Sequence, residues 1–308
     1  MIRSTLRFAF TTTLLAACGN DGAGPPVDPP DAAIEPITRS PIEACIAGGG
    51  ALAPQWATGN QHGAVTSLTV TGTTVVLGSE DGSVKQWAVA AAPSYGTSFD
   101  TGESGRPVTQ ALAVASDGTV LGADASGALG EWRLSDAKPM RTTPITTVPL
   151  IALAVDAGAN HVAVGGGTDI RVVDRAAGTT SPKLVTTLWG LDALAFDATA
   201  LFTAGHNYST PQVERRDGAS PIEVVDRWND QTKQGHVRAI AVSRDGAHLF
   251  AGGDGFVAVL DAANLAAGPI AFVPAEGHSV IGLVALSGNE LFATAGSEGT
   301  VQLWKVTG

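Results

Sequence analysis

The feature that most limits what this chain can fold into is an internal repeat. Runs that alternate small or apolar residues with others open at Val65, Val108, Leu150, Leu191, Val237 and Val280, at spacings of 43, 42, 41, 46 and 43 residues. The runs read VTSLTV, VTQALAV, LIALAV, LDALAF, VRAIAV and VIGLVAL. Their alternation is that of a strand, not of a helix. A turn follows each one: Thr71-Gly72, Asp117-Gly118, Ala157-Gly158, Asp197-Ala198, Asp245-Gly246 and Gly288-Asn289. Glycine, asparagine and aspartate suit these places because they tolerate the positive φ of tight hairpins.

After the turn comes a second strand that ends on glycine or another small residue: TVVLGS, TVLGAD, HVAVGGG, LFTAG, HLFAGG, LFATAG. A third follows: VKQWAV, LGEWRL, IRVVD, QVERRD, VAVLD, VQLWKV. Small residues at the ends of second strands fit strands crowded toward a common axis. A unit of about 42 residues in this order has the size of one four-stranded propeller blade. The expected fold is all-β, a single β-propeller of six four-stranded blades, with seven blades as the alternative. The last unit stops at Gly308 after its third strand, which would leave an unpaired edge. Residues 50–58, GALAPQWAT, are expected to close that blade, with Pro54 marking an edge position.

The N-terminus reads as an address. Arg3 and Arg7 precede the short apolar run Phe8 to Ala17, which is too short to span a bilayer. It ends in Leu15-Ala16-Ala17-Cys18, which resembles the lipobox of bacterial lipoproteins. That resemblance implies a signal peptide over residues 1–17, cleavage before Cys18, and lipidation of its thiol. Acyl chains contribute ~0.8 kcal/mol per buried CH2, so two or three hold the chain firmly. Gly19 at the next position favours the outer membrane, on the periplasmic face or the cell surface. Residues 18–45 are proline-rich and without period, and are expected to form a flexible tether reaching on the order of 80 Å. The folded body is then 46–308. Cys45 is left as a small thiol near its start.

Within that body, GSEDGSVKQW (residues 78–87) and AGSEGTVQLWKV (residues 295–306) resemble the second and third strands of WD40 repeats. Gly235-His236 and Gly277-His278 resemble the Gly-His pair that precedes the next blade, and His62 holds a similar place. Trp87, Trp132 and Trp304 stand at the tryptophan position, although none is followed by aspartate. Asp174 and Asp261 keep the aspartate, but Val173 and Leu260 replace the aromatic before them. The resemblance implies structural roles in the blades for His62, Trp87, Trp132, His236, His278 and Trp304. In the last blade it also implies part of the family's His–Ser–Asp–Trp network, through His278, Ser297 and Trp304.

Composition and motifs narrow the function. A formal charge of −11 repels phosphate backbones and excludes generic nucleic-acid binding. Two cysteines exclude a disulfide scaffold. No HExxH, EF-hand, P-loop or GxSxG pattern occurs, and the six histidines do not cluster in sequence. No catalytic residue, cofactor or metal is therefore expected. Recognition should lie where the repeat is broken, because loops on a rigid ring carry binding. The longest interval, 46 residues, holds two unusual segments, 205–211 and 226–234. Trp189, Tyr208 and Trp228, flanked by His206, Asn229 and Asp230, are the expected partner-binding patch.

The function expected from these observations is that of a monomeric, lipid-anchored extracytoplasmic module. It would bind an envelope protein or a polysaccharide as a scaffold and touch the membrane only through its lipid. One alternative is a propeller hydrolase or oxidoreductase with a metal or cofactor at the axis, drawing on Asp81, Asp124, Asp254 and Glu298. Another is a subunit of an envelope assembly complex.

Overall fold

The computed structural model describes residues 7–8, 33–36, 65–71, 74–80, 82–88, 95–99, 109–133, 139–217, 223–285, 291–297 and 301–307. Two short strands come first, β1 (Arg7–Phe8) and β2 (Ala33–Pro36). The first unit supplies β3 (Val65–Thr71), β4 (Thr74–Ser79), β5 (Val84–Ala88) and β6 (Tyr95–Phe99). The second supplies β7 (Thr109–Val114), β8 (Thr119–Asp124), β9 (Ala128–Arg133) and β10 (Pro139–Pro144). The third has β11 (Ala152–Val155), β12 (His161–Gly166), β13 (Asp169–Asp174) and β14 (Thr179–Thr180). The fourth has β15 (Gly190–Phe196), β16 (Ala200–Asn207), β17 (Thr210–Asp217) and β18 (Val224–Asn229). The remainder is β19 (Val237–Val242), β20 (His248–Asp261), β21 (Pro269–Ala285), β22 (Leu291–Gly296) and β23 (Val301–Thr307).

The arrangement is an all-β propeller. First strands of successive units pack side by side, from β3 through β7, β11, β15 and β19 to β21. They line one axial channel of about 130 Å³ through residues such as Leu68, Ala111, Ala152, Ala193, Ala239 and Gly282. Five buried apolar clusters each straddle two consecutive units. Between units one and two, for example, Val76 and Val84 meet Leu112, Val120 and Trp132. Alternation along each strand places one apolar row against each neighbouring unit, so a unit completes its core only beside another.

The blade count differs from expectation. Hydrogen bonding divides the described strands into five sheets, not six or seven blades. The fifth runs β19-β20-β21-β22-β23-β2 and holds the fifth and sixth sequence units together. The cause lies in two uninterrupted strands. In β20 the backbone turns at Gly255, with φ +78, and Ala262 N donates to Ala247 O at 3.0 Å, so this strand doubles back as a hairpin. In β21 the chain continues as strand through Glu276, Gly277 and His278, where the sequence had marked a boundary. Asp254 of β20 pairs with Ser279, which joins the two units.

Closure also differs in its details. An N-terminal strand does pair with the last strand, but it is β2, antiparallel to β23 with Ile34 opposite Val306 and Pro36 opposite Trp304. Its four residues fall in the stretch expected as tether. Residues 50–58, expected to fill this place, lie outside the described residues. Arg7 and Phe8, within the expected signal peptide, pair in parallel with Ser67 and Leu68.

The small residues at second-strand ends have a steric reason. A Cβ on Gly205 would overlap the Gly190 carbonyl, and one on Gly253 would overlap that of His236. The backbone at the entries to β15 and β19 passes directly over these glycines.

Candidate recognition face

Trp189 and Tyr208 are brought together by the fourth unit. Strand β16 ends at Asn207 and β17 begins at Thr210, so the expected loop at 205–211 is a two-residue turn, Tyr208-Ser209. Asn207 and Thr210 face each other in register, and Thr210 Oγ1 donates to Asn207 O at 2.8 Å. Ser209 O accepts from Gly235 N at 2.7 Å, which ties the turn to the segment entering β19. Tyr208 has φ +54, a left-handed conformation uncommon for an aromatic residue. Such strain clusters at functional sites and persists only when the surroundings fix it.

Trp189 N donates to His206 O at 2.8 Å, placing its indole beside the turn. The Trp189 and Tyr208 rings lie 3.8 Å apart, tilted by 36°, and the residues are 58% and 68% exposed. Beside them opens a groove of about 810 Å³ lined by Thr168, Lys183, Val185, Thr187, Trp189 and Asn207. Lys183 Nζ donates to Thr168 Oγ1 at 3.1 Å across it.

The groove wall is fixed from beneath. Glu214 of β17 is fully buried and accepts hydrogen bonds from Thr186 Oγ1, Thr187 N, Thr187 Oγ1, Thr203 Oγ1 and Gln212 Nε2. Arg216 Nη2, also fully buried, donates to Glu214 Oε2 at 2.7 Å. Thr186 and Thr187 belong to the segment entering β15, so one carboxylate fastens the residues that line the groove.

The other expected partner-binding residues lie apart. Trp228 is 5% exposed and packs edge-on against Phe256 at 6.2 Å, inside the core between units four and five. It is not on the surface shared by Trp189 and Tyr208. Asn229 Nδ2 donates to Gln212 Oε1 at 2.7 Å, and Asp230 Oδ1 accepts from Thr232 N and Oγ1 within its own turn. His206 and His236 stack at 3.7 Å next to Asp192, a cluster that the spacing of histidines did not suggest. Burial first, then the neighbouring His236, hold His206 below its ordinary pKa, while Asp192 pulls it upward. Arg238 chelates Asp254, Nε to Oδ1 at 3.0 Å and Nη2 to Oδ2 at 3.1 Å. Burial alone would raise the Asp254 carboxyl, but bonds from Arg238 and Ser279 outweigh it and hold the pKa low.

Among the structural positions, Trp132 is buried between units one and two, and Trp304 is buried with Nε1 donating to Thr294 Oγ1 at 2.9 Å. His62 and the side chains of Trp87 and His278 lie outside the described residues. Of the carboxylates considered for an axial site, Asp124 is occupied by Ser126 and Ala128 in its own turn. Asp81 and Glu298 lie outside the described residues.

Asp169 anchors the matching turn of unit three. Burial would raise its carboxyl, but hydrogen bonds from Arg171 and Thr146, with the charges of Arg171 and Lys183, outweigh it and hold the pKa below 3.8. A lowered folded-state pKa adds stability above the unfolded value and loses it as pH falls through the folded one. Asp169→Asn should therefore cost about 1 kcal/mol at pH 7. The difference from wild type should shrink below pH 3.8. Melting curves of both proteins across that range check this, and a gap that stays constant into acid would contradict it.

The class of protein now follows from fold and comparison together. The family described as WD domain, G-beta repeat matches residues 55–88 and 229–261. These stretches cover the first unit through β5, and the fifth from the end of β18 through β20. The chain is thus an all-β propeller in which two stretches are similar to WD40 repeats. The comparison with curated proteins gives no match.

Proposed function

We propose that this protein is an exported, lipid-anchored WD40-type propeller that holds an envelope protein on its Trp189–Tyr208 face. The observation that carries the reading is the close, exposed pair of tilted rings beside the groove. Large aromatics in a fixed pose are the usual anchors of interface hot spots, since little rotamer entropy is lost on contact. The Glu214 network fixes the groove wall before any partner arrives, which lowers the cost of binding. No chemistry is assigned to this face. A polysaccharide is the second reading, favoured by two exposed rings next to the hydroxyls of Thr168 and Thr187.

The export reading rests on Leu15-Ala16-Ala17-Cys18 after a basic and an apolar stretch. Cleavage before Cys18 would remove β1 and keep β2. Since β2 begins at Ala33, fifteen residues would link lipid to fold. Their extended reach is on the order of 45 Å, shorter than a tether running to residue 45 would allow.

In-cell crosslinking with mass spectrometry tests the reading, with wild type beside a Trp189→Ala/Tyr208→Ala double variant. Wild type should capture one envelope protein, and the variant should lose it by at least about 30-fold while melting unchanged. Equal capture by both would overturn the assigned face. Retention on envelope polysaccharide, lost in the variant, would favour the second reading. In the same cells Cys18→Ala should leave the membrane fraction, and a variant that stays there would refute lipidation.

A further inference from the structure

We propose that Asp192, His206 and His236 form a binding site for a divalent transition-metal ion of the zinc type. One ligand atom from each lies within 4.8 Å of the other two. Asp192 Oδ2 stands 3.0 Å from His236 Nδ1 and 3.8 Å from His206 Nδ1. Zinc binds nitrogen and oxygen at about 2.0–2.2 Å, and tetrahedral angles then place two ligands about 3.3–3.5 Å apart. The two carboxylate–nitrogen separations straddle that value, and the stacked His206 and His236 rings would turn out of their stack to aim both ring planes at the ion.

A second observation points the same way. His206 Nδ1 is buried and has no hydrogen-bond partner. Buried ring nitrogens are normally paired, and an ion seated by Asp192 would satisfy this one. The absence of a side chain at Gly190 is what lets the His206 ring lie there, since a Cβ would overlap it.

The donor set selects the class of ion. Two imidazoles and one carboxylate suit zinc, cobalt or nickel, whereas calcium and magnesium take oxygen ligands. The adjacent cation, Arg238, approaches the other carboxylate oxygen, with Nη1 3.7 Å from Asp192 Oδ1. Its charge is matched by Asp254. The ligand side chains keep 10%, 21% and 28% of their surface for Asp192, His206 and His236, so an ion can enter from solvent. Three protein ligands leave a fourth position for water or a partner's group, as in open rather than purely structural sites.

The geometry also gives the ion a mechanical role. Asp192 is on β15, His206 is on β16, and His236 immediately precedes β19. Binding would tie unit four to unit five beneath the Tyr208 turn.

The test uses the full chain, purified without a histidine tag and titrated with Zn²⁺ by calorimetry and with Co²⁺ by visible absorption. Wild type should take up one ion per chain, and Zn²⁺ at a hundredfold excess over its Kd should raise the melting temperature by about 5 °C. His206→Ala and Asp192→Asn should each weaken binding on the order of 100-fold, whereas His161→Ala should not. X-ray absorption at the zinc edge of wild type should count two imidazoles, a readout that needs no variant to fold. Absence of one-to-one uptake, binding unchanged in His206→Ala, or a zinc shell without imidazole would overturn the proposal. Because the readout needs no partner, its failure would leave the proposed docking face standing.

Discussion

Replacing Glu214 with alanine is expected to lower stability by about 4 kcal/mol, because it removes the buried carboxylate that Arg216 Nη2 pairs with. Both residues are fully buried, and the bond between them is 2.7 Å. Removing one partner of a buried pair costs more than the pair itself contributes, since the remaining charge keeps its full desolvation cost. The Thr186, Thr187, Thr203 and Gln212 donors also lose their acceptor. A Glu214→Leu/Arg216→Met double variant should recover most of that loss, as apolar replacement of a whole buried pair is often neutral. Urea denaturation of wild type, single and double variants decides it. A single variant that loses under about 1 kcal/mol would show that the buried pair does not hold this unit together. The double variant carries a second readout. With the donors on Thr186 and Thr187 unanchored, the groove wall should bind a partner less well even when the fold is restored. Stability and recognition would then separate in one protein.

The architecture was legible because a repeat near 42 residues fixes both strand order and which elements become neighbours. The sheet count was not, since it depends on whether the chain leaves the sheet between units. Gly277-His278 reads as a boundary by its resemblance to a Gly-His pair, yet the backbone there stays in β21. The closing strand was expected on edge-pairing grounds. However, AIEP between prolines carries too few residues for a period, so it passed for tether. Trp189 and Tyr208 stood out as interruptions of the repeat. Trp228 shared that signal, but β18 alternates exposed Val225 and Arg227 with buried Trp228, and that alternation assigns it to the core. The Asp192–His236 contact was hidden by a separation of 44 residues. Residues about one repeat apart sit at matching heights on neighbouring units, so the spacing that hides such a pair also predicts it. Asp192 and Arg238 were visible as charges inside otherwise apolar first strands. Their pairing was not, because Asp192 meets His236 and Arg238 from the next unit.

Phe250→Ala tests whether units five and six stand or fall together. Phe250 is fully buried and stacks on Phe292 at 4.4 Å, and Phe292 stacks on Trp304 at 6.1 Å. This ladder runs from β20 through β22 to β23, inside the cluster shared by the two units. Truncating a buried phenylalanine removes its transfer free energy and leaves a cavity that a rigid sheet cannot collapse, about 4 kcal/mol in all. That corresponds to a drop of about 10 °C in melting temperature for a chain of this size. The form of the transition is as informative as its midpoint. In an open repeat array a weakened interface near one end lets that end unravel first, and the melt becomes biphasic. Here the two units share one hydrogen-bonded sheet, and β2 holds its far edge. The variant should therefore melt in a single transition displaced to lower temperature. A separate early phase would mean that the last unit opens on its own, and that β2 and the shared sheet do not couple it to the rest.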